Sequence, residues 1–251
     1  MPYFNKKSIT TSTFLRKSYN WLLPNFCLFC KQPVGDKSLC EACCQNLPWQ
    51  SYACRQCGQT LTTSNVDIRC GECLKNPPVY DSTICLFHYA NPIDTLILAL
   101  KFGGNLIYAK LLGELMQEKI EAWYKHHDKP DCIIPIPLHR KRLQERGFNQ
   151  ALEIIKPVAR RMNIPLEIDL CKRKLNTAAQ SSAASAAVRK RNIKNAFWIS
   201  PAFQANHVAV VDDVITTGQT VAEFSRLLKK AGVRQIDVWC CARTTLHEPN
   251  V

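Results

Sequence analysis

Beyond about residue 79 the chain alternates between two hydrophobic rhythms. Short apolar runs of strand length, ICLFHY (84–89), DCIIPIP (131–137), HVAVVDD (207–213) and QIDVWCCA (235–242), follow one another at intervals. Between them apolar residues recur at three- and four-residue spacing, in PIDTLILAL (92–100), LIYAKLLGELMQEKIEAWY (106–124), NQALEIIKPVARRMN (149–163) and TVAEFSRLLKKAG (220–232). Strands apolar on both sides belong to parallel sheets covered on both faces, so the pattern predicts an α/β fold with flanking helices. Gly232 falls where a helix C-cap belongs. The stretch after Pro137 is read as a basic loop, and Cys171 to Ser200 as a polar, basic segment containing the low-complexity run SSAASAAV (181–188).

Before residue 79 neither rhythm runs for long. Phe14, Leu15, Tyr19, Leu22 and Leu23 take helical spacing and Pro24 ends it. That predicts a leader helix within 1–24, packed on the body or lying on a membrane surface. Residues 25–78 are turn-rich and poor in core formers, and a segment of that size needs a staple. Three regions are expected: a leader over 1–24, a stapled domain over 25–78 and an α/β domain over 79–251.

Composition supplies the staple. Fourteen of the 251 residues are cysteine, and nine lie between Cys27 and Cys73. Apolar residues are 46% and charged residues 21%, as in globular proteins, which excludes a mostly disordered chain. No apolar run approaches the roughly 18 residues of a membrane span, and no secretory signal is recognisable, so the expected compartment is the cytosol. In a reducing compartment clustered cysteines read as metal ligands before disulfides. Four C-x-x-C pairs occur: Cys27/Cys30, Cys40/Cys43, Cys54/Cys57 and Cys70/Cys73. Each pair presents two sulfurs from one turn, so two pairs close one tetrahedral zinc site and four pairs predict two structural zinc ions. Sequential and crossed pairing both satisfy this geometry, and a redox role for some pairs is the competing reading. All-thiolate sites have no open position for catalysis at the metal. Cys44 reads as a bystander, and Cys85, Cys132, Cys171, Cys240 and Cys241 as small buried hydrophobes.

Charge adds a second constraint. The formal net charge is +13, and residues 139–194 hold 14 Lys and Arg against 4 acids, a local excess of +10. Such a field attracts a polyanion: diphosphate, nucleotide or nucleic acid.

Two strings carry candidate chemistry. In HVAVVDDVITTGQT (207–220) an apolar strand delivers Asp212 and Asp213 at its carboxyl end, and a Thr/Gly loop leads into a helix. Ligands of parallel sheets bind at that end, and a helix N-terminus presents free N–H groups to phosphate. Thr216, Thr217 and Thr220 add hydroxyls, and Gly218 permits close backbone approach. Two adjacent carboxylates take sugar hydroxyls or Mg²⁺; the bland alternative is a plain strand–turn–helix connection. In IIPIPLHRKRLQERGFNQA (133–151) a strand ends in prolines, with Leu138, His139, Arg140, Lys141, Arg142 and then Arg146 following, a cationic turn suited to diphosphate or simply a solvated basic face.

The first string resembles the phosphoribosyl-diphosphate (PRPP) signature of type I phosphoribosyltransferases. That resemblance implies ribose contacts from Asp212 and Asp213, as the candidate catalytic pair, and 5′-phosphate contacts from Thr216, Thr217, Gly218, Gln219 and Thr220. Both strings together, preceded by paired cysteine knuckles, resemble the ComF family, whose pattern P-x-P-L-x-x-x-R-x-x-x-R-G-F-N-Q is reproduced from Pro135 to Gln150. The segment 173–197 resembles that family's flexible loop, making Arg173, Arg189 and Arg191 candidates to close over the site, and LKFGGN (100–105) matches a basic turn. The resemblance implies a zinc-ribbon segment joined to a type I phosphoribosyltransferase-like sheet, PRPP bound with Mg²⁺, and a role in natural transformation. Its implied partners are single-stranded DNA and competence proteins at the inner membrane, such as a helicase or translocation machinery. Exposed aromatics such as Phe148 would stack on bases. The alternative is a cytosolic phosphoribosyltransferase acting on an unidentified small acceptor, for which no base-reading constellation is legible.

Overall fold

A computed structural model describes residues 25–61, 68–175 and 195–245. The chain forms two compact units that divide between Leu47 and Pro48. The division falls inside the cysteine-rich segment, so two C-x-x-C pairs belong to each unit. The leader helix expected within 1–24, and the run 181–188, lie outside the described residues.

In the first unit, antiparallel strands β1 (Asn25–Phe26) and β2 (Pro33–Val34) flank a tight turn, and the short helix α1 (Glu41–Gln45) follows. Cys27 N–H donates to the Gln32 carbonyl at 2.8 Å and Lys31 N–H to the Cys27 carbonyl at 3.0 Å. Lys31 takes the left-handed conformation (φ 62°), which lets the turn close with both sulfurs on one side.

The second unit begins with its own knuckle, which includes α2 (Gly71–Lys75), and continues as the α/β body. The predicted strands and helices form as β3 (Ser82–His88), α3 (Ile93–Gly103), α4 (Leu106–Trp123), β4 (Cys132–Pro135), α6 (Gln150–Met162), β7 (His207–Ile215), α7 (Gln219–Lys230) and β8 (Gln235–Arg243). The stretch read as a basic loop is instead helix α5 (Arg140–Arg146). Arg, Lys, Leu, Gln and Glu are good helix formers, His139 Nδ1 accepts from Lys141 N–H at 3.3 Å, and Gly147 (φ 79°) ends the turn in the left-handed region. The polar segment contributes a two-stranded antiparallel arm, β5 (Cys171–Arg173) with β6 (Phe197–Ile199).

The main sheet is parallel throughout, in the order β3-β8-β7-β4. Pro135 sits in the edge strand β4, where a missing N–H is tolerated. The outer edge is covered: Ile133 N–H donates to the Pro165 carbonyl and Glu167 N–H to the Ile133 carbonyl. Successive β7 side chains point to opposite faces. Val208 and Val210 pack with Phe197, Phe224 and Leu228 beneath α7. On α4, Gly113 lets α6 approach so closely that a Cβ there would meet the Ile154 carbonyl oxygen at 2.5 Å.

At the amino-terminal end of the sheet, buried Asp237 accepts hydrogen bonds from Ser82 (2.7 Å) and Tyr124 (2.6 Å) and pairs with His207 at 2.8 Å. Burial alone would raise its pKa, but these contacts outweigh burial and hold it below the usual carboxylate range. No helix among the described residues is long and apolar enough to cross a membrane.

Candidate functional site: an acid pair facing a basic turn, with two four-cysteine knuckles

The knuckles pair in sequence order. The sulfurs of Cys27, Cys30, Cys40 and Cys43 lie within 4.8 Å of one another, as do those of Cys54, Cys57, Cys70 and Cys73. Cys30 and Cys40 Sγ are 3.6 Å apart, and Cys57 and Cys70 Sγ 3.7 Å. A zinc tetrahedron with bonds of about 2.3 Å has an edge of about 3.8 Å, so the sulfurs already stand at ligand spacing. Backbone N–H groups favour the thiolates: Cys43 N–H donates to Cys40 Sγ at 3.4 Å and Cys70 N–H to Cys54 Sγ at 3.2 Å. Desolvation raises the Cys27 thiol, but backbone donors from Cys40, Cys30 and Phe29 outweigh it and bring it down to about 6. The chemistry of both donor sets fits structural zinc.

Strand β7 runs to Ile215, so the acid pair lies within its last paired residues rather than at the strand's end. β4 and β7 are adjacent and parallel, with Pro135 opposite Val211, and Ile136 N–H donates to the Val211 carbonyl at 2.8 Å. The chain leaves both strands at the same end of the sheet. β7 therefore delivers Asp212 and Asp213 beside the start of the basic turn at Leu138.

The acids have different surroundings. Asp213, buried, pairs with Lys101 Nζ of α3 at 2.9 Å and accepts from Val214 N–H at 2.8 Å. Asp212, half-buried, accepts from Asp213 N–H at 3.0 Å. Burial, and then the negative charge of Asp213, push its carboxyl up to about 7; Lys101 and Arg173 pull the other way. Asp213 thus has its cation in direct contact, and Asp212 is poised to change protonation near neutrality.

Downstream, Thr216 is exposed, and Thr217, Gly218, Gln219 and Thr220 are half-buried at the start of α7. Gly218, at φ 74°, is the N-cap and offers no side-chain oxygen, so the first-turn N–H groups of α7 lack a side-chain cap. That leaves donors and a positive dipole end for an anion.

α5 carries Arg140, Lys141 and Arg142 in its first turn and Arg146 in its last. His139 bridges to Arg173 of β5. Burial depresses the Arg173 guanidinium and Arg142 depresses it further, while Asp212 pulls it back up, so these three charges share one neighbourhood. The structure thus brings Arg142, Arg173 and Asp212 together. Arg146 is turned elsewhere: it donates to Gln150 Oε1 at 3.0 Å and lies 5.6 Å over the Phe102 ring. Arg189 and Arg191 lie outside the described residues.

A cavity of about 500 Å³ opens beside this turn, lined by Pro137, Leu138, Arg140, Leu143, Phe148 and Arg173 among others. Phe148 is half-buried in its wall rather than exposed. The exposed ring at this end is Phe102, 76% accessible. Sequence reasoning missed Lys101 and Phe102 as individuals, although the LKFGGN turn that holds both was the available signal.

Residues 18–85 match the double zinc ribbon domain family, and residues 106–245 match the phosphoribosyl transferase domain family. The DNA utilization protein YhgH of Escherichia coli K12 is 35% identical over 88% of this chain and 98% of its own length. Competence protein F of Haemophilus influenzae is 35% identical over 86% of this chain and 96% of its own. Competence protein ComFC of Streptococcus pneumoniae is 22% identical over 83% of this chain and 89% of its own.

Proposed function

The chain belongs to the ComF/YhgH family, a double zinc ribbon joined to a phosphoribosyltransferase domain, and from that premise we propose that it binds PRPP with Mg²⁺ and serves DNA utilisation, handling imported single-stranded DNA on the cytoplasmic side of the membrane. The observation that carries the reading is the placement of Asp212 and Asp213 and the basic turn on neighbouring parallel strands, tied by the Ile136–Val211 hydrogen bond of 2.8 Å. In this reading the acids hold the ribose hydroxyls. The free amides of α7, with the hydroxyls of Thr216, Thr217 and Thr220, hold the 5′-phosphate. Arg140, Lys141 and Arg142 face the diphosphate, which carries its own Mg²⁺. Where transfer occurs, the C1–O bond breaks with its electron pair leaving on the diphosphate, and the acceptor adds to C1 from the opposite face.

The DNA role is supported by the relatives' names and by the +10 excess between residues 139 and 194. Phe102 beside Arg146 gives the aromatic and cation that stacking on unpaired bases requires. Partners at the inner membrane, a helicase or translocation machinery, belong to the same proposal. The cavity beside the basic turn favours a second reading, transfer of ribose 5-phosphate to a small acceptor. Deletion of the gene in a transformable host separates the two: lost transformation supports the first, and undiminished transformation with PRPP-dependent turnover supports the second.

A further inference from the structure

Arg243 ends β8 at the carboxyl edge of the sheet, directly opposite Ile215 of β7, where the phosphate loop begins. It is 4% exposed. Among the described residues no carboxylate forms an ion pair with it; its Nε donates to Gln59 Oε1 at 3.2 Å and its Nη1 has no partner. Nη1 lies 3.9 Å from the position a Cβ would take on Gly218, with the Tyr80 hydroxyl 3.5 Å from the same point. A guanidinium taken out of water with no carboxylate in contact is costly, and a bound anion offsets that cost. The loop that Nη1 adjoins leads into the uncapped first turn of α7, which offers donors to an anion.

The arginine is gripped from the other side by the second knuckle. Gly58, the residue after Cys57, has φ 70°; a Cβ there would stand 2.7 Å from Thr83 Cγ2 and 3.6 Å from Arg243 Cδ. Gln59, the next residue, supplies the oxygen that Nε uses. The knuckle is stitched to the start of the sheet by Thr83 Oγ1 donating to the Gln56 carbonyl at 2.6 Å and Gln56 Nε2 donating to the Tyr80 carbonyl at 3.2 Å.

We propose that Arg243 is a further anion-binding residue of the phosphate loop, set in place by Gly58 and Gln59 of the Cys54–Cys73 knuckle, so that this zinc ribbon is a working part of the sugar-phosphate site. The inference rests on the PRPP reading and names a ligand that the PRPP signature does not contain. The test is calorimetric titration of the zinc-loaded full chain with ribose 5-phosphate, with zinc content measured on each variant. Wild type binds; Arg243→Met weakens binding at least tenfold; Arg243→Lys keeps part of the affinity. Gln59→Leu, which leaves every cysteine in place, weakens binding several-fold with two zinc ions still bound, and it carries the test if Arg243→Met does not fold. Affinity within twofold of wild type in Arg243→Met and Gln59→Leu overturns the proposal. No binding of ribose 5-phosphate or PRPP by wild type overturns the PRPP reading itself, a result distinct from the first.

Discussion

Asp212 and Asp213 are neighbours on β7, yet strand alternation hands them to opposite faces of the sheet. Lys101 meets one, and Arg173 stands near the other. Lys101→Met leaves Asp213 buried without its cation. Because Lys101 is itself about a fifth exposed, the cost is about 1–3 kcal/mol, read as a lowered urea midpoint at unchanged slope. Asp212 gives a pH signature. Its folded pKa is raised to about 7, so the folded state favours the protonated acid. That contribution to stability is complete below about 3.9 and is lost as pH rises through about 7. The apo protein should therefore melt at lower temperature at pH 8 than at pH 5, and Asp212→Asn should flatten that difference. PRPP affinity should run the other way, rising several-fold between pH 6 and 8, because sugar hydroxyls donate better to a carboxylate than to an acid. A profile indifferent to Asp212→Asn in both measurements contradicts this account of the pair.

At the scale of elements, the long periodic helices and the four apolar strands were legible because burial on both faces of the sheet writes itself into runs of Val, Ile and Leu. α5 was not, because charge dominates the string RKRLQER and drew the reading toward a loop; its helix propensity and the glycine after Arg146 were the signals that counted. Zinc pairing was open for a similar reason: both schemes satisfy the tetrahedron, and only the folded turns choose. Lys101 lay within the LKFGGN turn, but its contact with Asp213 was not legible, and Arg243 was invisible because its partner is remote, Gln59 and Arg243 being 184 residues apart. Contact between α4 and α6 depends on Gly113. Gly113→Ala pushes a methyl group onto the Ile154 carbonyl and should cost about 1–3 kcal/mol, seen as a lower thermal midpoint with zinc content and PRPP affinity unchanged. Equal stability of that variant would mean the two helices can slide apart freely.

At the scale of the whole molecule, positive charge and metal are separable. Elemental analysis of protein purified anaerobically should give two zinc ions per chain, one for each four-cysteine group. Binding of labelled single-stranded DNA should weaken linearly with the logarithm of salt concentration. Replacing Arg140 and Arg142 by Ala should lower that slope by about 1 to 1.5, at roughly 0.7 per lost phosphate contact. A slope unchanged by the double substitution places the DNA elsewhere on the surface. Titrated with PRPP and Mg²⁺ in a calorimeter, the zinc-loaded wild-type chain should show saturable binding, and Asp212→Asn combined with Asp213→Asn should abolish it with two zinc ions retained. Binding undiminished in the double variant, or no binding by wild type, would contradict the account.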